Sequence, residues 1–223
     1  MTATAGDVTA PVKPARPSWA DMHKHYPAKA VTTEVLYNTM IRGKFTGQHK
    51  IAYLANTCAT RMSYALLSSG FQLGRTMDPD GSMLGEDKKW YWIRVASLRT
   101  ELHTRFKGFD AELKFAEIDK KLLSNDAAMA KIILDRKAKA QKFLDTDLAT
   151  KNGIIVFRVK GWGDASGHFT LWDSSTKTLA FATGHDDATK DSYYPWLTQV
   201  STNPLAATKS LVQVAEIQFW ELK

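Results

Sequence analysis

An apolar run followed closely by a second strand-like run is the sequence feature that most constrains the fold of this chain. The first run, 153–159, is short, apolar and bounded by turn residues, which predicts a buried strand. A glycine-rich turn at 161–167 leads into an alternating run at 168–173, and residues 211–220 alternate in the same way. These runs predict strands of one antiparallel sheet, with successive side chains on opposite faces.

Helical patterns come before these strands. Residues 56–70 are predicted to form a helix, because Asn56 or Thr57 can cap its first turn and Gly70 is suited to the position just past its last turn. Residues 108–152 are also rich in helix formers and are expected to form a helical insertion. Helices followed by a sheet indicate the α+β class.

The length of 223 residues provides for one sizeable core, so we expect a single domain over 17–223. Residues 1–16 are small, polar and interrupted by prolines, a composition typical of a disordered tail. The start of the chain lacks a basic segment followed by an apolar one, so no secretory signal is predicted. No run is apolar enough to predict a transmembrane segment.

Cys58 is the only cysteine and lies in the first turn of the predicted helix 56–70. Free cysteine is among the most buried residue types, so a structural role in the core is one interpretation. The alternative is a nucleophile, because unpaired N–H groups and the helix dipole favour a thiolate at a helix start. The position alone does not decide between these two roles.

His168 begins the alternating run that follows the glycine-rich turn. Strand parity places His168, Thr170 and Trp172 on one face of the sheet and Phe169, Leu171 and Asp173 on the other. A cysteine at a helix start that faces a histidine on a strand is the papain-type arrangement. In that arrangement the imidazole holds the thiol as an ion pair and later protonates the leaving amine.

Four sequence blocks carry a resemblance to a known family. They are Pro17-Ser18-Trp19 with His25-Tyr26-Pro27, then 56–63 around Cys58, then 161–173 around His168, and finally Phe219-Trp220-Glu221-Leu222. In this order and over most of 17–223, the chain resembles the type VI secretion amidase effectors of the fourth family, which are papain-like peptidoglycan peptidases.

The resemblance implies a papain-like fold, with the nucleophile at a helix start packed on a mostly antiparallel sheet. It also implies an antibacterial toxin, exported by type VI secretion, that acts in the periplasm of the target cell. The expected reaction is that of an amidase or DL-endopeptidase on the peptide stem of peptidoglycan, at the bond between γ-D-glutamate and meso-diaminopimelate. A cognate immunity protein is the expected partner, and no cofactor and no metal are expected.

The group that orients His168 remains open. Asp173 is a poor candidate, because five strand positions span roughly 16 Å and odd spacing directs its side chain to the opposite face. The resemblance implies an aspartate downstream of the histidine strand and shortly before an aromatic segment. Asp191, ahead of Tyr193-Tyr194, fits this description best, and Asp186 and Asp187 are alternatives.

Other residues around the expected cleft have predicted roles. The N–H of Cys58, with a second donor near Asn56, is expected to bind the oxyanion. Trp162 and Trp172 are candidate walls of the substrate groove, although Trp172 could equally be a core residue. Arg61 is expected to support the cysteine helix through an ion pair.

The net charge of +7 and the isoelectric point near 9.4 leave two other functions open. A nucleic-acid-binding protein would explain the charge. Its affinity for nucleic acid would fall steeply with salt concentration and would not change when Cys58 is replaced. A catalytically silent interaction protein would keep the fold without turnover. The amidase interpretation is favoured, and it includes no nucleic-acid partner.

Overall fold

The computed structural model describes residues 2–5, 8–11, 16–163, 165–203 and 208–223. Its α-helices are α1 (Trp19–His25), α2 (Thr33–Val35), α3 (Cys58–Ser68), α4 (Val95–Arg105) and α5 (Asp126–Thr146). Helix α2 continues into a π-helical turn at Leu36–Ile41, and short 3-10 turns occur at Gly43–Phe45, Gln48–Lys50, Ala52–Leu54, Lys120–Ser124 and Tyr194–Trp196. None of the helices in the described ranges combines the length and apolar character that a membrane span requires.

The strands are β1 (Thr2–Ala5), β2 (Val8–Pro11), β3 (Ser82–Leu84), β4 (Trp90–Trp92), β5 (Ala111–Lys114), β6 (Gly153–Lys160), β7 (Gly167–Asp173), β8 (Thr178–Leu179), β9 (Thr198–Asn203) and β10 (Thr208–Glu221). In the described part of the chain the main sheet has six strands, in the order β5-β10-β6-β7-β8, with β9 paired to the first half of β10. Every one of these pairings is antiparallel. The predicted α+β class and the predicted strands around 153–159, 168–173 and 211–220 are therefore confirmed.

The sheet lies between two hydrophobic cores. On one face, Ile154, Val156, Phe169 and Leu171 pack in a core that also holds the buried side chains of α1, α3 and α4. On the other face, Ile155, Phe157 and Trp172 pack with residues of α5 and of the Tyr194–Trp196 turn. Side chains that alternate between two cores explain why β6 is apolar throughout, and they confirm the predicted parity of β7.

The segment 108–152 is less helical than predicted. It contains β5, which pairs with β10 at residues 216–219, and the turn at Lys120–Ser124 before α5 begins. The prediction was wrong for β5 because its four residues alternate between half-buried and exposed positions, a pattern too short to identify a strand from the sequence. The cap of α5 is Asn125, whose side chain accepts from the N–H of Ala128.

The N-terminal segment expected to be disordered includes β1 and β2, which pair with each other as an antiparallel hairpin. Residues 1, 6–7 and 12–15 lie outside the described residues. Arg16 donates to the carbonyls of Phe106 and Glu221, and α1 follows, where the side chain of Ser18 accepts from the N–H of Asp21.

Candidate active site

Cys58 is the first residue of α3, and this helix is buried along most of its length. Asn56 Oδ1 accepts the N–H of Cys58 at 3.4 Å, so Asn56 rather than Thr57 provides the side-chain oxygen at this helix end. The helix ends before Gly70, whose φ of 85° is the left-handed conformation that favours glycine. The predicted helix and its C-terminal glycine are confirmed, whereas the N-cap residue Thr57 makes no capping bond and Asn56 bonds the first turn from the position before it.

The thiol of Cys58 meets the start of β7. Cys58 Sγ lies 4.0 Å from the carbonyl oxygen of Gly167, the residue immediately before His168. A Cβ atom at Gly167 would lie 2.1 Å from the carbonyl oxygen of Phe157 on β6, so only glycine lets the two strands pair there. The glycine-rich turn thereby allows β7 to begin beside the cysteine.

The imidazole of His168 is held on three sides. Its ring is nearly parallel to that of Tyr194, with ring centroids 4.3 Å apart and an interplanar angle of 14°. The ring of Phe181 also stacks with the imidazole, with ring centroids 5.8 Å apart. His168 Nε2 is 2.6 Å from the carbonyl oxygen of Phe181. Because a carbonyl only accepts, Nε2 carries the proton and donates, and the lone pair is on Nδ1. Nδ1 is therefore the nitrogen able to act as a base.

Burial sets the protonation states of the two candidate residues. It raises the pKa of the Cys58 thiol to about 11, although the backbone N–H groups of Phe169, Ala59 and Cys58 act in the opposite direction. Burial also lowers the pKa of His168 to about 4, against the effect of the Phe181 carbonyl. At neutral pH the structure favours a neutral thiol and a neutral imidazole. The structure therefore does not favour the thiolate–imidazolium ion pair expected from the sequence. The effect of burial on the two pKa values is larger than the stabilisation of a thiolate by the start of the helix.

Arg61 supports α3 without an ion pair. Its Nε donates to Thr57 Oγ1 at 2.8 Å, and its two terminal nitrogens donate to the carbonyls of Pro27 and Val31, each at 2.7 Å. Its guanidinium also lies 4.1 Å above the ring of Phe181. The expected support of the helix is present, but the expected ion pair is wrong, since a neutral hydroxyl and neutral carbonyls accept these bonds. Arg61 thus connects the cysteine helix with the residue that holds His168.

Two adjoining cavities meet at the candidate site. The first, which we call the imidazole cavity, has a volume of about 540 Å³, and its lining includes His168, Tyr194 and Trp162. The second, which we call the nucleophile cavity, has about 390 Å³ and is lined in part by Cys58. Asn56 and Ala165 line both cavities. Cys58 and His168 therefore line two cavities that adjoin at these shared residues.

The two tryptophans have different positions. Trp162 lines the imidazole cavity, with its ring 5.9 Å from His185 and 6.0 Å from Tyr194, as expected of a groove wall. Trp172 is only 1% exposed, and its Nε1 donates to the carbonyl of Leu148. The predicted role of Trp172 as a groove wall is wrong, because the face of β7 that carries it is covered by the second core.

None of the three candidate aspartates contacts His168 among the described residues. Asp191 is exposed, and within the described ranges its carboxylate makes no hydrogen bond or ion pair, while its main-chain carbonyl accepts from the N–H of Thr198. Asp186 pairs with Lys29 at 2.9 Å, and Asp187 caps the turn at Thr189 and pairs with Lys190. The carbonyl of Phe181 occupies the position where a carboxylate was expected.

Sequence reasoning missed several groups around the imidazole. The Phe181 carbonyl is a main-chain atom, for which the sequence carries no signal. Tyr194, which stacks on the imidazole, enters the sequence prediction only as part of the aromatic segment after Asp191. In the described part of the chain, no group of His, Cys, Asp or Glu side chains is arranged to hold a metal ion.

Comparison with known proteins gives consistent results. The family model described as "Tae4: Type VI secretion system (T6SS), amidase effector protein 4" matches residues 54–220, which include both Cys58 and His168. No curated protein sequence matches the chain.

Solved structures of Tae4 proteins share the fold. The type VI effector Tae4 from Enterobacter cloacae is 21% identical, with a TM-score of 0.60 over 95% of this chain and 100% of that one. The chain matched in the Enterobacter cloacae Tae4–Tai4 effector–immunity complex is 21% identical, with a TM-score of 0.60 over 94% of this chain and 100% of that one. Tae4 from Salmonella typhimurium, in complex with the immunity protein Tai4 from Enterobacter cloacae, is 20% identical, with a TM-score of 0.57 over 93% of this chain and 100% of that one.

Proposed function

The chain belongs to the Tae4 family of type VI secretion amidase effectors, which are peptidoglycan amidases, and we propose that Cys58 is its nucleophile and His168 its general acid and base. One observation carries this proposal. The single thiol of the chain lies at a helix start against the residue that precedes a buried, oriented histidine. The two side chains also line two adjoining cavities, which share Asn56 and Ala165.

The reaction starts from the neutral pair. As the thiol attacks the amide carbonyl, its proton passes to Nδ1 of His168, and the imidazolium that forms is stabilised by the Phe181 carbonyl through Nε2–H. The imidazolium then protonates the leaving amine. In the second half of the reaction, the imidazole takes a proton from water, which hydrolyses the thioester and regenerates the thiol.

The oxyanion is bound at the start of α3. The N–H of Cys58, which bonds Asn56 Oδ1 in this structure, turns to the developing oxyanion when the substrate is present. The side-chain NH₂ of Asn56, which lines both cavities, supplies a second donor. This assignment gives Asn56 two roles, as the cap of the free enzyme and as a donor to the transition state.

The substrate is the peptide stem of peptidoglycan, and the bond cleaved joins γ-D-glutamate to meso-diaminopimelate. Family membership supports peptidoglycan as the substrate of an amidase, and the choice of this bond follows from the resemblance that the sequence blocks around Cys58 and His168 carry. His168 lines the imidazole cavity, so the leaving diaminopimelate amine lies there, near Trp162 and Tyr194. The acyl part then extends in the direction of the nucleophile cavity.

Delivery and control follow the family. We propose that the protein is exported by a type VI secretion system and that it acts in the periplasm of the target cell. Tae4 relatives are known in complexes with the immunity protein Tai4. For this chain we propose a cognate immunity protein that covers the cleft in the producing cell.

The test is digestion of purified diaminopimelate-type peptidoglycan by wild type, Cys58→Ala and His168→Ala, with the fragments identified by mass. Wild type is expected to release stem fragments that begin with diaminopimelate, and both variants are expected to lose this activity. Fragments from a different bond would overturn the substrate assignment. Salt-sensitive DNA binding that is unchanged in Cys58→Ala, together with no cleavage, would instead support the nucleic-acid alternative.

A further inference from the structure

A third cavity extends the cleft beyond Cys58. It has a volume of about 490 Å³, and it shares Tyr53, Asp80, Ile93 and Arg94 with the nucleophile cavity but no residue with the imidazole cavity. The three cavities therefore follow one another, with the nucleophile cavity in the middle. We call the third one the basic cavity.

The lining of the basic cavity carries an excess of positive charge. Lys44, Arg75 and Arg94 line it, and Asp80 is the one acidic side chain recorded among its described lining residues. Arg94 is paired with Asp78 at 2.8 Å. Lys44 and Arg75 have no carboxylate within ion-pair distance in the described part of the chain. Two cations without a partner beside one cavity favour an anionic ligand.

Aromatic groups fix part of this cavity. The guanidinium of Arg75 lies 5.3 Å from the centroid of Trp90, so it is held against an aromatic face and not against a carboxylate. Tyr53, which is 73% exposed, lies where the basic and nucleophile cavities meet. A guanidinium positioned in this way can bind the two oxygens of a carboxylate at once.

The order of the cavities tells which part of the substrate reaches the basic cavity. The leaving amine lies on the side of His168, because the imidazole must protonate it. The acyl part of the substrate then extends the other way, past Cys58 to Arg94. A γ-linked glutamate keeps its α-carboxylate free, and only a short aliphatic chain separates this carboxylate from the carbonyl under attack.

We propose that the basic cavity is the acyl-side subsite of the enzyme and that Arg75 and Lys44 bind a free carboxylate there, which is the α-carboxylate of the γ-linked glutamate. This inference rests on the proposed function for the identity of the acyl group. The subsite distinguishes a stem with a free α-carboxylate from one in which this group is amidated. Specificity of this kind arises because a cation left without its anion loses a charge-assisted hydrogen bond.

Binding to the inert Cys58→Ala protein tests the subsite independently of cleavage. Two synthetic stem peptides serve as probes, one with γ-linked D-glutamate and one with γ-linked D-isoglutamine, each followed by diaminopimelate. Isothermal titration calorimetry at about 0.15 M salt gives the ratio of their Kd values. The free carboxylate is expected to bind about tenfold more tightly, which corresponds to one charge-assisted hydrogen bond.

Variants of Arg75 and Lys44 test whether these two residues cause the difference between the two Kd values. Arg75→Gln and Lys44→Gln, in the Cys58→Ala background, are each expected to reduce the preference, and the double variant is expected to abolish it. Lys139→Gln on α5 removes the same charge from an exposed position outside all three cavities, so it should keep the full preference. A preference that persists in the double variant, or an equal Kd for both peptides before substitution, would overturn the proposal. Cleavage by the protein with Cys58 intact is measured separately, so a failure of the proposed function is seen there and a failure of the subsite is seen in the Kd ratio.

Discussion

Nε2 of His168 donates a hydrogen bond to the main-chain carbonyl of Phe181 at 2.6 Å. This bond fixes the tautomer that leaves Nδ1 free as a base, which is the task that a carboxylate or side-chain amide performs in papain-type sites. A main-chain acceptor carries no full negative charge, so it stabilises the imidazolium less than a carboxylate would, and burial outweighs its effect on the pKa of His168. The bond is therefore consistent with the neutral pair that burial favours at this site.

Tyr194 is expected to position His168 through its ring. Tyr194→Ala removes the face on which the imidazole lies, and a misplaced base is expected to lower kcat by about tenfold to a hundredfold. Tyr194→Phe keeps the ring and should retain nearly full activity. The measurement is kcat on a stem peptide for each variant, with thermal unfolding to establish that both are folded. Equal losses in the two variants would assign the effect to the hydroxyl and contradict the positioning role.

Asp191→Asn decides between the carboxylate predicted from the sequence and the carbonyl found in the structure. Because Asp191 is exposed and makes no recorded contact with His168, the substitution is expected to change kcat/KM by less than about twofold. A carboxylate that orients the catalytic histidine would instead cost up to about 10⁴-fold. Asp186→Asn and Asp187→Asn are matched controls from the same loop. A large loss in Asp191→Asn alone would restore the sequence prediction.

Arg61→Met is expected to lower the free energy of unfolding by about 3 kcal/mol, because the buried guanidinium is lost and the carbonyls of Pro27, Ala28 and Val31, of which Pro27 is buried, lose their donor. Urea denaturation followed by circular dichroism measures this change. Lys160→Met, at an exposed ion pair with Glu117, should change the free energy of unfolding by less than about 0.5 kcal/mol. A similar small change in both variants would show that Arg61 does not hold the α3 helix.

The pH dependence of Cys58 alkylation reports its ionisation. The pKa of Cys58 is raised to about 11 and that of His168 is lowered to about 4, so little thiolate is present at neutral pH. The rate of reaction with iodoacetamide should therefore rise continuously between about pH 7 and pH 10, because the thiolate is the reacting species. His168→Ala should show a similar rise. A rate that is already constant near neutral pH, and is lost in His168→Ala, would indicate a preformed ion pair.

Local signals account for what the sequence predicted well. The strands β6 and β7 were identified because their apolar runs and the glycine-rich turn between them are continuous in the chain. The helix α3 was identified because both of its end signals lie within a few residues of it. These features positioned Cys58 and His168 correctly before any tertiary contact was known.

Features that depend on tertiary packing were not predicted. Burial of the thiol and of the imidazole, which reverses the expected ionisation, requires the two cores to be in place. Trp172 was misassigned because strand parity gives its face but does not tell what covers that face. The acceptor at Phe181 is a backbone atom brought to His168 by the return of the chain along β8, and no residue type marks it.

The most direct test of the account is to find where the acyl group is carried during turnover. Wild type and Cys58→Ala are mixed with a stem peptide, quenched in acid after short times and analysed by mass spectrometry of the intact and digested protein. The account predicts a thioester of the acyl fragment on the peptide that contains Cys58, together with amine release by wild type alone. An acyl group on another residue, or equal amine release by Cys58→Ala, would contradict it.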